Sequence, residues 1–246
     1  MGNWKMVLQY DGTRYQGWQK QERTEYTIQG KLETLLSRLC GECIEVQGSG
    51  RTDAGVHALG QVAHFHTSAV TSAEVLMEEM NHYLPEDIAV ISMTEASDRF
   101  HSRLHAVRKT YQYRVWNSRI PPVFERKYVY PVAEALDLAA MRKAAAFLIG
   151  TNDYRSFTSL KKSKKSMVRT IESIRIERRG EEVRLTFEGD GFLYHMVRIL
   201  TGTLLEVGMG KRQPEEMKDL LDCGRREEAG PLVPAKGLTL VEVHYS

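Results

Sequence analysis

A chain of 246 residues, 42% hydrophobic and 27% charged, has an ordinary globular composition, long enough to bury one large core or two smaller ones. The formal net charge of +2 names no partner by itself. No apolar run approaches the roughly 18 residues of a membrane span, and the opening MGNWKMVLQYDG lacks an apolar h-region, so neither a membrane segment nor a signal peptide is expected. Cys40 and Cys43 form a C-x-x-C with Cys223 far off in sequence, too few ligands for a structural zinc site. They read as reduced thiols in a cytoplasmic protein.

The distribution of charge says more. From Arg99 to Lys109 there are four cations (Arg99, Arg103, Arg108, Lys109), two histidines and no acid. From Tyr154 to Ile171 there are six cations (Arg155, Lys161, Lys162, Lys164, Lys165, Arg169), again without an acid. Such stretches are often solvated faces, but two in one chain point towards a polyanionic partner.

In chain order, residues 4–10 read as a strand, and 28–39 as a helix with Ile28, Leu32, Leu35, Leu36 and Leu39 on one face and Thr27 as its cap. Residues 43–48 and 61–66 read as strands. In the second, Ala63 and Phe65 face one way and Val62, His64 and His66 the other. Thr71 to Glu74 has capping-box spacing before a helix of about a dozen residues, and 88–95 reads as a strand. The same β-α-β-β-α-β order then recurs. Residues 109–116 alternate as a strand, Asp137 can cap a helix, and 168–178 with 181–188 form a hairpin around Gly180. A helix over 193–207 carries Leu193, Val197, Leu200, Leu204 and Val207 on one stripe. A short helix near 214–222 starts at Pro214, and 238–244 closes the chain as a strand. The expected fold class is α+β: two tandem split β-α-β (ferredoxin-like) halves, 1–105 and 106–246. Their antiparallel sheets would join around a central cleft, with helices on the outer face.

The stretch Gly48-Ser49-Gly50-Arg51-Thr52-Asp53-Ala54-Gly55-Val56-His57-Ala58 carries the chemistry. Its glycines end a strand and permit close backbone approach. The spacing is neither G-x-G-x-x-G nor a phosphate loop. One carboxylate, Asp53, sits two positions from Arg51, whose guanidinium favours an ionised acid in a partly desolvated place. The plain alternative is a turn whose aspartate caps backbone amides.

The segment GSGRTDAGVHALGQVAHF resembles the signature of the tRNA pseudouridine synthase A family. So, in order, do Tyr10-Asp11-Gly12-Thr13 with Gly17-Trp18-Gln19, Phe100-His101-Ser102-Arg103 and Lys109-Thr110-Tyr111-Gln112-Tyr113-Arg114. Further on come Gly191-Phe192-Leu193 with Met196-Val197-Arg198, and then Pro234-Ala235-Lys236-Gly237-Leu238. The likeness runs almost the whole chain. It implies an enzyme that isomerises uridine to pseudouridine in the anticodon stem-loop of tRNA, at nucleotides 38, 39 and 40. The resemblance further implies a homodimer, without metal or cofactor, acting on tRNA and not DNA. Residue by residue, Asp53 matches the catalytic aspartate, Tyr111 the tyrosine that stacks on the target base, and Arg198 the arginine paired with the carboxylate. Arg51 matches a loop arginine that helps hold the flipped nucleotide, and Leu238 an apolar wall of the pocket. Two positions depart from the pattern, Asn152 for a usual histidine and Val233 for a usual small residue, neither expected to touch the chemistry.

Plainer readings stand beside these roles. Tyr111 shares a strand face with Tyr113 and Val115, as core aromatics do. Lys161, Lys162, Lys164 and Lys165 suit phosphate contact if RNA is the substrate, and a solvated loop if not. Two rival functions are a non-catalytic RNA-binding protein, which would have no use for a reactive aspartate, and a metal-dependent hydrolase using Asp53 with His57, His64 and His66. A chelator separates the last. Isomerase turnover is expected to survive exhaustive EDTA treatment, and activity restored only by added zinc or magnesium would favour the hydrolase.

Overall fold

Strand β1 (Gly2–Tyr10) lies between β3 (His57–Thr67) and β4 (Ile88–Ala96), antiparallel to both. The computed structural model describes residues 2–69, 71–160 and 166–246. Within them the chain forms ten strands and five α-helices, an α+β architecture. It divides into two compact units, one running up to Val107 and including Thr239–Ser246, the other Arg108–Leu238. Among the described residues no helix is long and apolar enough to cross a membrane.

In the first unit β1 takes one edge of β3. The other edge is shared by β2 (Gln47–Gly48), antiparallel through Gln47 and His64, and by β10 (Leu238–Tyr245), parallel through Thr239 and His57. Trp4 and Met6 stand opposite Phe65 and Ala63, which sets the apolar face expected for that strand. Its core includes Met6, Leu8, Leu32, Leu36, Phe65 and Met80, all fully buried. Helix α1 (Ile28–Cys40) is capped as expected: the Thr27 hydroxyl accepts from Gly30 N, and Gly41 ends the helix at φ 69°.

Two local expectations shift. Residues 43–48 pair as a strand only at Gln47–Gly48, because α1 competes for the earlier amides. Ile44 N donates to the Ser37 hydroxyl (2.9 Å) and Val46 N to the buried carboxylate of Glu33 (3.1 Å). Helix α2 (Ala73–Tyr83) is capped by Ser72, whose hydroxyl accepts from Val75 N; Thr71 instead donates to Ser72 O.

In the second unit β5 (Ala106–Trp116), β9 (Glu182–Gly189), β8 (Val168–Arg179) and β7 (Gly150–Asp153) pair antiparallel in that order. The short β6 (Tyr130–Pro131) runs parallel to β5. The expectation of purely antiparallel sheets thus fails at β10 and β6, both of which arrive after long connections that can bring a strand back in the same direction. Gly180, at φ 59°, turns the β8–β9 hairpin as its position between two apolar runs suggests. Val183, Leu185 and Phe187 are fully buried, and the first two stand opposite Val115 and Tyr113. Asp137 accepts from the amides of Ala139 and Ala140 to cap α3 (Leu138–Phe147). Helix α4 (Met196–Gly208) is buried almost all round, Arg198 and Glu206 alone being partly exposed. Pro214 precedes α5 (Glu216–Cys223), accepting from Met217 N in the turn that leads into it.

One buried polar group has a titration consequence. His64 on β3 is 3% exposed, and its Nδ1 accepts from Ser102 N at 3.2 Å, while the Ser102 hydroxyl donates to Gln47 O at 2.7 Å. Burial first, then the neighbouring His101 and His66, push its pKa down from 6.5 to about 4. The folded chain therefore refuses a proton that the unfolded chain accepts once the pH falls below about 6.5. Stability present above that pH is lost on acidification towards 4, by up to about 3 kcal/mol from this one group. Urea melts at stepped pH should show this decline in the wild type and a flatter profile in His64→Gln. Parallel profiles would refute the assignment.

Candidate active site

The loop between β2 and β3 is held from three sides. At its base, Ser49 N donates to Val62 O (2.7 Å), the Ser49 hydroxyl donates to Gln61 Oε1 (2.7 Å), and Gln61 Nε2 donates to Gly50 O (3.0 Å). From below, the Tyr10 hydroxyl bonds the Thr52 hydroxyl at 2.9 Å, and burial pushes that phenol up to about 12. From the side, the segment Asp11–Trp18 clasps it: Trp18 N donates to Thr52 O (3.0 Å) and Gly55 N to Tyr15 O (3.3 Å). The clasp requires glycine. Gly17 sits at φ +91°, where a Cβ would stand 2.7 Å from Thr52 O, and a Cβ at Gly12 would stand 2.0 Å from Val56 O. Gly12 N also donates to His57 Nδ1 at 3.1 Å.

Burial alternates along the loop. Thr52 is buried, while its neighbours Arg51 and Asp53 are exposed and half-buried. The Asp53 backbone carbonyl closes the turn by accepting from Val56 N at 3.1 Å. A carboxylate on a loop braced by neighbouring segments can act on a ligand without reorganising. His57 and His64 are engaged by Gly12 and Ser102, and His66 is exposed. Among the described residues no group of three or more His, Cys, Asp or Glu is placed to hold a metal ion.

In the second unit Tyr111 differs from its strand neighbours. Tyr113 and Val115 are fully buried, but Tyr111 is half-buried, its ring meeting Phe192 edge to face at 5.3 Å and 84°. Arg198, in the first turn of α4, donates from Nε to Val233 O at 2.8 Å. The next carbonyl, Pro234 O, accepts from the Tyr113 hydroxyl at 2.7 Å. A Cβ at Gly237 would stand 2.6 Å from the Tyr113 ring. Segment 233–238 is thereby pinned against Arg198 and Tyr113, with Leu238 buried at its end. The Val233 departure is thus not remote from the candidate residues, since its carbonyl is Arg198's acceptor. The contact is through backbone, and its buried side chain packs beside Gly202. Asn152 lies on β7, opposite Arg169.

Lys161, Lys162, Lys164 and Lys165 lie outside the described residues. Sequence reasoning missed the Tyr10–Thr52–Gln61–Ser49 network, which no short-range pattern announces. It also missed His195, the cap of α4, held at φ 65° with its Nδ1 2.9 Å from the Ser159 hydroxyl and its ring stacked on Tyr194 at 3.7 Å.

A family model described as tRNA pseudouridine synthase matches residues 6–103 and 144–246. A protein of Clostridium tetani named tRNA pseudouridine synthase A 1 is 46% identical over 245 residues, the match spanning 100% of both chains. Proteins named tRNA pseudouridine synthase A from Bacillus sp. (strain KSM-64) and Acetivibrio thermocellus are 45% and 42% identical, again over 100% of both chains.

The clasp yields a test of the loop's support. Gly17→Ala meets both a disfavoured backbone conformation and the Thr52 carbonyl, and is expected to cost about 1–3 kcal/mol. It should also speed hydrogen exchange at the amides of Trp18 and Gly55. Gly41→Ala, at φ +69° with nothing within 4 Å of its Cβ, should carry the conformational cost of about 1 kcal/mol and leave those amides protected. Equal exchange in the two variants would overturn the clasp.

Proposed function

The chain belongs to the tRNA pseudouridine synthase family, an isomerase that forms pseudouridine in tRNA, and we propose that Asp53 is its catalytic carboxylate. The observation that carries this reading is the braced loop, whose buried Thr52 is flanked by a half-buried Asp53 and an exposed Arg51. Arg198 is the partner arginine, Arg51 holds the flipped nucleotide, and Tyr111 offers a stacking face whose orientation Phe192 supports. Leu238 forms an apolar wall. The lysines at 161, 162, 164 and 165 contact phosphates, in keeping with an acid-free run of cations. The substrate uridines are those of the anticodon stem-loop, the enzyme acts as a homodimer in the cytoplasm, and it needs neither metal nor cofactor. Both units are read as split β-α-β halves, the first supported by the neighbours β4-β1-β3-β2 and the second by β5-β9-β8.

The reaction is balanced without an added reagent. The bond from C1′ to N1 breaks, the uracil turns, and a bond from C1′ to C5 forms; C5 gives up a proton and N1 gains one. The base first leaves its stack, at a cost of a few kcal/mol. Attack at C1′, attack on the base and removal of the 2′ proton all use an ionised carboxylate beside the ribose, so Asp53→Asn tests what they share. With tRNA tritiated at uracil C5, the variant should release no tritium, keep a near wild-type tRNA affinity and melt normally. Retained turnover in the purified variant would remove Asp53 from the mechanism.

A further inference from the structure

A concave surface lies outside the Asp53 loop, within the first unit. A groove of about 830 Å³ is walled by segment 20–26, by α1 from Gly30 to Arg38, and by Tyr83–Pro85 after α2. Its charge is biased: Lys20, Arg23, Lys31 and Arg38 line it against Glu22 and Glu25. Lys20 is committed to structure, since its Nζ lies 2.9 Å from the buried Glu33 carboxylate. Arg23 and Arg38 are exposed, and Lys31 is half-buried. Lys31 and Arg38 are seven residues apart on α1, two turns along one face, about 10 Å.

Two tyrosines complete it. Tyr26 is 61% exposed and Tyr83 52% exposed, so each offers a ring face to the groove's solvent side. Each is paired with one of the cations: Lys31 Nζ lies 5.3 Å from the Tyr26 centroid, and the Arg38 guanidinium 4.6 Å from that of Tyr83. Cations that meet phosphates, beside exposed rings that a base or ribose can cover, are the composition of a surface for RNA. An acidic peptide would use the cations and leave the rings bare.

The groove is also joined to the catalytic loop. Segment Asp11–Trp18, which clasps residues 52–56, is tied on its other side to the strand entry beyond Pro85: Asp11 N donates to Asp87 O, and Asp87 accepts from Arg14 and from the Tyr15 hydroxyl (2.6 Å). One short segment thus has the Asp53 loop on one side and the groove's rim on the other.

We infer that this groove is an auxiliary tRNA-binding surface, taking a stretch of substrate backbone beyond the nucleotide presented to Asp53. The inference rests on the reading of the chain as a tRNA-modifying enzyme. The test compares the full chain with the triple variant Arg23→Ala, Lys31→Ala, Arg38→Ala and with the pair Tyr26→Ala, Tyr83→Ala, in filter binding of a tRNA transcript across a potassium chloride series. The triple variant should bind roughly tenfold more weakly, with a logarithmic salt slope smaller by about two to three. The tyrosine pair should weaken binding at least about fivefold with the slope unchanged. In both, the loss should appear in Kd and not in the single-turnover rate at saturating tRNA, and melting temperatures should stay near wild type. Unchanged Kd and slope in both variants would overturn the inference, as would a polyglutamate peptide that binds the wild type, fails to bind the triple variant and does not compete with tRNA. Failure of the underlying reading looks different: the wild type would not bind or modify tRNA at all.

Discussion

Two backbone carbonyls occupy the space that side chains at positions 12 and 17 would need. The contact of Val56 O with Gly12 and of Thr52 O with Gly17 is the constraint on which the placement of the Asp53 loop rests. Glycine is costly in an ordered chain because it has the most freedom to lose. Here that cost permits a loop to be gripped by its neighbour at van der Waals contact. The grip fixes Asp53 by fixing the residues on either side of it, and it leaves the Asp53 side chain partly open.

The rest of the support is polar and buried. Tyr10, Ser49, Thr52 and Gln61 form a connected set under the loop, in which Gln61 uses both ends of its amide. Glu33 plays the comparable role beside α1, accepting from Gln29, Val46 N and Lys20. Satisfied networks of this kind specify a single arrangement, since any rearrangement strands a polar group away from water. The same principle recurs in the second unit, where successive carbonyls of Val233 and Pro234 are taken by Arg198 and Tyr113. In each unit a residue proposed for chemistry borders a segment whose backbone is held by neighbouring side chains.

Aromatic residues divide according to what covers them. Tyr113 is fully buried with its hydroxyl bonded to a carbonyl, whereas Tyr111, two positions earlier on the same face, meets the edge of Phe192 and stays half open. Tyr26 and Tyr83 go further and expose most of a ring each, with a cation beside them. Strand or helix position alone does not distinguish these cases. The distinction lies in what distant segments bring to each ring.

The sequence by itself determined the elements whose signals are local. Thr27 and Asp137 announce helices because a side-chain oxygen reaches amides two or three residues on, and Gly180 announces a hairpin because only the adjacent apolar runs are needed to read it. The order of motifs, with an aspartate inside a glycine-rich loop, likewise sufficed to point to the family that the full-length relatives share. Tertiary structure decided whatever depends on partners far along the chain. Residues 43–48 look like a strand, and only the reach of Glu33 and Ser37 from α1 diverts their amides. The final strand lies parallel to β3, about 180 residues earlier, a pairing no local period encodes. Thr52 and Gln61 read as ordinary polar residues until Tyr10 is folded beneath them. The physical reason is common to all three. A hydrogen bond or a buried contact is set by which groups meet in space, and sequence pattern predicts that meeting only over the few residues that one turn of backbone can span.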